Sequence, residues 1–382
     1  MSFPPELHLL IIDSLWDSAS DLKNCTLVSR FWHQRAIVQL FSYVAVSELP
    51  LLTTRNFVAK DLITRQTRVN LENWEFLKDS KHLTDVIRSL SFVFEPTENP
   101  TDEFQLESIP HPLPRLSTLE IYNYNPKSTF QLGLFLRSLF PAHNPSQTCT
   151  LTLVGILLRD PDGLDSISDT DITFAQNNSR IRVCSLLYGV NLPEIDSALF
   201  MDETAVFDLD GLECLKVQTF SSDCTPILQR FGTTIRHLEL LLFPYGTQVT
   251  PFIYPTQEDL SVVSLVPNLT SLTLDCQYNP ESLRTLSHQI VQITTTKPCT
   301  KLEKVTVVLN PGDGGEIIGS SLDKDLAQLV HALPSIRSID ISLSTRKVGV
   351  VPQDHSLQLF QSLVAALPET DKTKVLHVGW LG

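Results

Sequence analysis

Positive charge is scarce in this chain. Lys and Arg number 29 against 43 Asp and Glu, for a formal charge of −14 at pH 7. Nucleic acid and anionic membrane both call for a basic surface, so neither is expected as a partner. Lys and Arg do not cluster, and Arg65 and Arg68 read as a solvated helix face. Long apolar runs are also missing, and none approaches the roughly eighteen residues of a membrane span. The N-terminus lacks the basic-then-apolar order of a secretory signal. The seven cysteines (Cys25, Cys149, Cys184, Cys214, Cys224, Cys276 and Cys299) are odd in number and scattered, with no pair at zinc or redox spacing. Free thiols in a reducing compartment, cytoplasm or nucleus, are expected. The Asn-x-Ser/Thr triplets at Asn24, Asn177 and Asn268 are then chance matches.

Motifs that carry chemistry are equally absent. Gly312-Asp313-Gly314-Gly315 follows an apolar run, but neither the dinucleotide nor the P-loop spacing is completed. A flexible loop is expected there. Asp208-Leu209-Asp210-Gly211 starts like a calcium loop and lacks its later acid. The acidic stretch from Asp160 to Asp171 reads as an exposed insertion. There is no Gly-x-Ser-x-Gly elbow, and no zinc pair among the ten histidines. His82, His237 and His331 read as residues at the edges of apolar runs. No catalytic, cofactor or metal residue is named, and the chain is expected not to be an enzyme. An α/β hydrolase-like enzyme stays open as an alternative, because catalytic groups can converge from distant segments.

What the chain does have is apolar periodicity, with 42% apolar residues in 382. Pro4 and Pro5 suit the first turn of a helix. Leu7, Leu10, Ile11, Ser14 and Leu15 follow at helical spacing. Asp17 and Ser18 break it. Ser20 is the expected cap of a second helix that carries Leu22, Cys25, Leu27, Val28 and Phe31 and has Trp32 at its end. About forty residues bury too little surface to stand alone, so part of this apolar surface is expected to be covered by something else.

Further on, residues 47–80 read as helical. Then one phrase recurs: apolar, two residues, apolar, one residue, apolar. It occurs at Ile87–Leu90–Phe92, Leu116–Leu119–Ile121, Thr148–Leu151–Leu153, Ile181–Cys184–Leu186, Leu212–Leu215–Val217 and Ile235–Leu238–Leu240. It returns at Leu269–Leu272–Leu274, Leu302–Val305–Val307, Ile336–Ile339–Ile341 and Thr373–Leu376–Val378. Successive phrases lie 23 to 37 residues apart, the spacing of a solenoid. Most intervals hold one amphipathic run, as at Phe130–Phe140, after Asn279-Pro280, after Ser321 and after Asp354. Strand, helix and strand in repetition define an α/β chain with parallel strands. An open or closed α/β sheet is the alternative to a solenoid.

The opening residues resemble the F-box. Its pattern of Leu-Pro-x-Glu-Leu, an Ile-Ile pair and Leu-x-x-Cys-x-Leu-Val-Ser-Arg-x-Trp is filled by Phe3-Pro4-Pro5-Glu6-Leu7, Ile11-Ile12 and Leu22 through Trp32. Phe3 stands where the family has Leu. The segment from Ser80-Lys81-His82-Leu83 to Arg88-Ser89-Leu90 is similar to fungal F-box proteins. The repeats resemble a degenerate leucine-rich repeat without its Asn ladder; Asn123 is a rare candidate. The resemblance implies a helical module over residues 1–46 and a repeat domain over 47–382, with strands on a concave face and helices outside. It implies a substrate-recognition subunit of a cullin-type (SCF) ubiquitin ligase, without cofactors. Pro4, Leu7, Ile11, Leu15, Leu27, Val28 and Trp32 would meet a Skp-family adaptor, and through it a cullin. Glu120, Tyr122, Tyr124, Glu239, Thr273, Thr306 and Asp340 would face a target protein. A scaffold that holds the adaptor outside any ligase is the other binding alternative.

Overall fold

Pro5 begins the first helix because an N–H at that position has no intrahelical partner to lose. A computed structural model of the chain describes residues 4–15, 18–47, 67–70, 74, 79–94, 111–124, 126, 129–140, 148–156, 180–189, 197–201, 205–217, 224–241, 261–278, 300–311, 320–344, 361, 365, 367–371, 373 and 375–381. The expected loop at Gly312–Gly315, the insertion at Asp160–Asp171 and the run after Asn279-Pro280 lie outside them. So does most of the run after Asp354. The described chain is α/β, and each strand pair given below is parallel.

Three helices open the chain: α1 (Pro5–Ser14), α2 (Ala19–Cys25) and α3 (Arg30–Phe41). Two caps differ from the sequence reading. The N-cap of α2 is Ser18, not Ser20: its hydroxyl oxygen accepts from the Asp21 N–H and also donates to the Asp21 carboxylate at 2.6 Å. The expected second helix is in fact two. The first ends at Cys25, and Ser29, with an extended backbone, accepts the Trp32 N–H and caps the next. Trp32 therefore sits in the first turn of α3. Leu27 and Val28 lie in the turn between.

The chain divides into two compact units, residues 1–184 with 189–209, and residues 185–188 with 210–382. The first contains β1 (Tyr43–Ser47), β2 (Thr67–Asn70), β3 (Ser89–Val93), β4 (Thr118–Tyr122), β5 (Thr148–Val154), the start of β6 (Ile181–Gly189) and β7 (Phe207–Asp208). Its strand order is β2-β1-β3-β4-β5-β6, with β7 on β6. One expectation fails here, and one strand departs from sequence order. Residues 47–80 are not uniformly helical, because Thr67–Asn70 pairs with Val44–Ser47, and Arg68 belongs to that strand. A solenoid would also add strands in sequence order, yet β2 lies on the outer side of β1 while β3 takes the inner side. β1 itself carries the recurrent phrase as Phe41–Val44–Val46, in register with Leu90 and Phe92.

The second unit contains Ser185–Tyr188 of β6, β8 (Cys214–Val217), β9 (His237–Leu241), β10 (Ser271–Tyr278), β11 (Lys304–Pro311), β12 (Ser338–Ser344) and β13 (Leu376–Leu381). These pair in sequence order. Leu215, Leu238, Leu272, Val305, Ile339 and Leu376 form one cross-strand row, and all but Leu376 are buried. Leu186 pairs with Leu215 and Tyr188 with Val217. The phrase in β6 is therefore Val183–Leu186–Tyr188, two residues later than Ile181–Cys184–Leu186. A two-residue shift keeps every side chain on its face, so alternation alone does not reveal it.

Helices follow the strands on their apolar stripes. Thr129–Leu139 (α5, after the single turn α4 at Lys81–Thr84) buries Leu132, Phe135, Leu136 and Leu139. Thr225–Phe231 (α6) and Ser261–Ser264 (α7) are shorter. Ser320–Ala332 (α8) buries Leu322, Leu326 and Leu329 and ends before Pro334, and Pro368–Asp371 (α9) packs on it. The link is Asp323 of α8, whose carboxylate accepts the N–H and the hydroxyl of Thr370, each at 2.8 Å.

A carbonyl ladder takes the place of an Asn ladder. In the first unit the Ser42 carbonyl accepts N–H groups of Arg88 and Ser89, and the Arg88 carbonyl accepts those of Ser117 and Thr118. In the second the carbonyls of Glu213, Arg236, Thr270 and Glu303 each accept two N–H groups from the next repeat. The Asn123 amide donates to the Phe94 carbonyl at 3.3 Å, and the Asn123 backbone has φ 56°.

Candidate functional site

The first helix is amphipathic in an unusual sense. The stripe of Leu7, Leu10 and Ile11 faces outward, while the inward stripe is His8, Ile12 and Leu15. Behind it lies a closed core of Ile12, Leu22, Cys25, Ala36 and Leu40, with Leu15, Trp32 and Phe41 packed against it. Outside it, six large apolar residues stay open: Leu7, Leu10 (64% exposed), Ile11, Leu27 (84%), Val28 (62%) and Phe31. Apolar side chains left this open keep much of their transfer free energy unrealised, and so many of them on one small module mark an interaction surface.

The expected adaptor residues divide accordingly. Pro4, Leu7, Ile11, Leu27 and Val28 are exposed. Leu15 and Trp32 are half-buried and belong largely to the core behind. Leu10 and Phe31 were not singled out from the sequence, though both lie within the same pattern.

Polar contacts hold this module rigid. Arg35 places two N–H groups on the Asp13 carboxylate, at 2.8 and 2.6 Å, and Gln39 adds a third at 2.9 Å. The Arg35 hydrogen bonds, with help from Gln39 and against partial burial, hold the Asp13 carboxyl below its usual value. Because Asp13 lies on α1 and Arg35 on α3, the clamp fixes the angle between the two helices.

The strand residues expected to face a target behave differently in the two units. In the second, Glu239, Thr273, Thr306 and Asp340 are half-exposed and occupy one cross-strand row with Lys216. Lys216 pairs with Glu239 and Lys304 with Asp340, both at 2.6 Å. Burial opposes ionisation of Asp340, but hydrogen bonds from Lys304 and Ser338 prevail and hold its carboxyl below the ordinary value. In the first unit Glu120, Tyr122 and Tyr124 are buried, so they do not present themselves as contact residues. Ser91 donates to the Glu120 carboxylate at 2.5 Å, and burial pushes the Glu120 carboxyl upward against that bond. Burial, with the nearby Glu120 charge, also raises the Tyr122 hydroxyl. Parallel strands are commonly covered on both faces, and alternation cannot say where the second cover begins.

An open groove of about 460 Å³ lies in the second unit where its strands begin. Its lining is engaged in turns: Lys301 donates to Asn268 at 2.7 Å, Asn268 to the Thr233 carbonyl at 2.7 Å and Thr270 to the Arg236 carbonyl at 3.0 Å. Among the described residues no three His, Cys, Asp or Glu side chains are placed to hold a metal ion, and no helix is long and apolar enough to cross a membrane. Asp208 lies in β7 and Asp210 in the turn after it. Comparison of the chain with family models, curated proteins and solved structures returned no match.

Proposed function

We propose that this chain is the substrate-recognition subunit of a cullin-type (SCF) ubiquitin ligase. Its first three helices form an F-box that docks on a Skp-family adaptor. The strands after them form a leucine-rich-repeat-like array that holds a target protein. The observation that carries this reading is the open apolar surface of Leu7, Leu10, Ile11, Leu27, Val28 and Phe31 over a core that is already closed. A mere cap on the repeats would turn this stripe inward. Support for the array comes from the cross-strand row in the second unit, where each strand pairs with the next in sequence.

In this reading the chain catalyses nothing. It raises the effective concentration of a target beside the ubiquitin-charged enzyme. The half-exposed row of Lys216, Glu239, Thr273, Thr306 and Asp340 is the target face, and a target would compete there with the internal ion pairs. Cytoplasm and nucleus are the compartments in which such a ligase works.

Affinity purification of the full chain and of a Leu27→Ala, Val28→Ala variant tests the reading. Adaptor and cullin should accompany the wild type and be depleted from the variant. Recovery of adaptor without cullin would favour a scaffold outside the ligase. Recovery of neither would remove both. Deleting residues 1–46 is a poorer test, because it also removes most of β1, the partner of both β2 and β3.

A further inference from the structure

An imidazole occupies the inward stripe of the first helix. His8 stands one turn before Ile12, and a polar ring in that row needs a partner. Trp32 supplies it: the indole Nε1–H donates to His8 Nδ1 at 3.0 Å. An indole N–H can only donate, so Nδ1 must offer a lone pair, and the ring is neutral with its hydrogen on Nε2. The same ring stands edge-on to two aromatics, with centroids 5.6 Å from Trp32 and 6.3 Å from Phe31 and an interplanar angle of 73° in both cases. One side chain thus ties α1 to both aromatic rings that open α3. Phe31 is itself part of the exposed apolar surface.

We propose that His8 is a positioning residue of the docking surface: its neutral ring fixes Trp32 and Phe31 against the first helix, so that acid loosens them and weakens docking. Protonation places hydrogens on both ring nitrogens, and the Trp32 N–H then points at another N–H. The docking half of the proposal rests on the adaptor reading above; the Trp32 half does not. Besides His8, the charged and titratable groups on the three helices are Glu6 and Asp13 on α1, Asp21, Lys23 and Cys25 on α2, and Arg30, His33 and Arg35 on α3, and α4, which packs on α3, adds Lys81 and His82. Asp13 and Arg35 are paired with each other. His33 Nδ1 lies 3.1 Å from the Thr26 carbonyl, so His33 is the competing explanation for any imidazole-like titration.

The test uses the full chain in four forms: wild type, His8→Gln, His8→Phe and His33→Gln. Glutamine keeps a neutral acceptor at every pH, and phenylalanine keeps the ring without an acceptor. The indole N–H resonance of Trp32, assigned with Trp32→Phe, is followed from about pH 8 to about pH 5, the span in which imidazoles titrate. It should move in step with the His8 ring resonances in the wild type and in His33→Gln. It should stay at its bonded position in His8→Gln and at a released position in His8→Phe. Affinity for a purified Skp-family adaptor, taken relative to His8→Gln at each pH, should fall roughly three- to tenfold across that span, the weight of one net hydrogen bond. A Trp32 resonance that ignores the His8 titration, or one that titrates in His8→Gln, overturns the proposal. If His8→Phe does not fold, the wild type and His8→Gln still decide. No adaptor binding at any pH removes the docking reading, while the Trp32 titration still settles the latch.

Discussion

Ile11 and Ile12 are neighbours in the chain with opposite surroundings: Ile12 is fully buried, and Ile11 is 41% exposed. Successive residues of a helix point about 100° apart, so one can serve the fold and the other a partner. The two substitutions should therefore separate. Ile12→Ala removes buried methyl groups and should lower stability by about 2–4 kcal/mol. Ile11→Ala should leave stability within about 0.5 kcal/mol of wild type. Denaturant titration of the two variants checks this, and equal losses would mean that the helix is seated differently.

Asp13 predicts a pH dependence of the helical module. Its carboxyl is held low by the Arg35 hydrogen bonds, so it is more acidic folded than unfolded. The stabilisation is complete above about pH 4, the ordinary carboxylate value, and is lost as pH falls through the lower folded value. Both partners are about one-third exposed, which limits the loss on Asp13→Ala to roughly 1 kcal/mol at neutral pH. Thermal unfolding at pH 7 and in acid should show the difference between wild type and variant shrinking in acid.

The buried pairing of Asp323 with Thr370 holds the short C-terminal helix onto α8 in the second unit. Thr370→Val removes the hydroxyl donor and leaves the N–H of residue 370 on the carboxylate. It should cost about 1–3 kcal/mol, because the acceptor is charged and buried. Hydrogen exchange of the β13 amides reads this out, and it should speed up in the variant.

Gly155 sits at φ 66° beside Asn123, and a Cβ there would lie 2.5 Å from the Asn123 Oδ1. Gly155→Ala should therefore cost about 1–2 kcal/mol in backbone strain alone. Gly379 has open space where a Cβ would go. Gly379→Ala should be close to neutral, and it serves as the paired control in the same unfolding experiment.

Much of the fold was legible because the core residues of parallel strands repeat. Leu119, Leu238, Leu272, Val305 and Ile339 are all buried, as the recurrent phrase requires. What escaped was register and order. The phrase fits β6 in two places two residues apart, and only pairing with Leu215 and Val217 chooses between them. β1 carries the phrase at Phe41–Val44–Val46 but follows closely on α3, inside the segment assigned to the helical module. β2 is four residues long, and its out-of-order position depends on a pairing the chain does not announce. Of the exposed apolar residues, Leu7, Ile11, Leu27 and Val28 were singled out through the F-box resemblance. His8 was not, because a lone histidine within an apolar run shows neither its inward direction nor its bond to Trp32, 24 residues away.

The central claim is that the open apolar stripe on the first helices is made for a Skp-family adaptor. Calorimetric titration of the purified adaptor into the full chain and into a Leu7→Ala, Ile11→Ala variant tests it most directly. The account predicts measurable binding to the wild type and a loss of about 2–4 kcal/mol in the variant, roughly thirty- to a thousandfold. Circular dichroism of the variant should be unchanged, because both side chains lie outside the closed core. Equal affinity for the two chains, or no binding to the wild type, would contradict the claim.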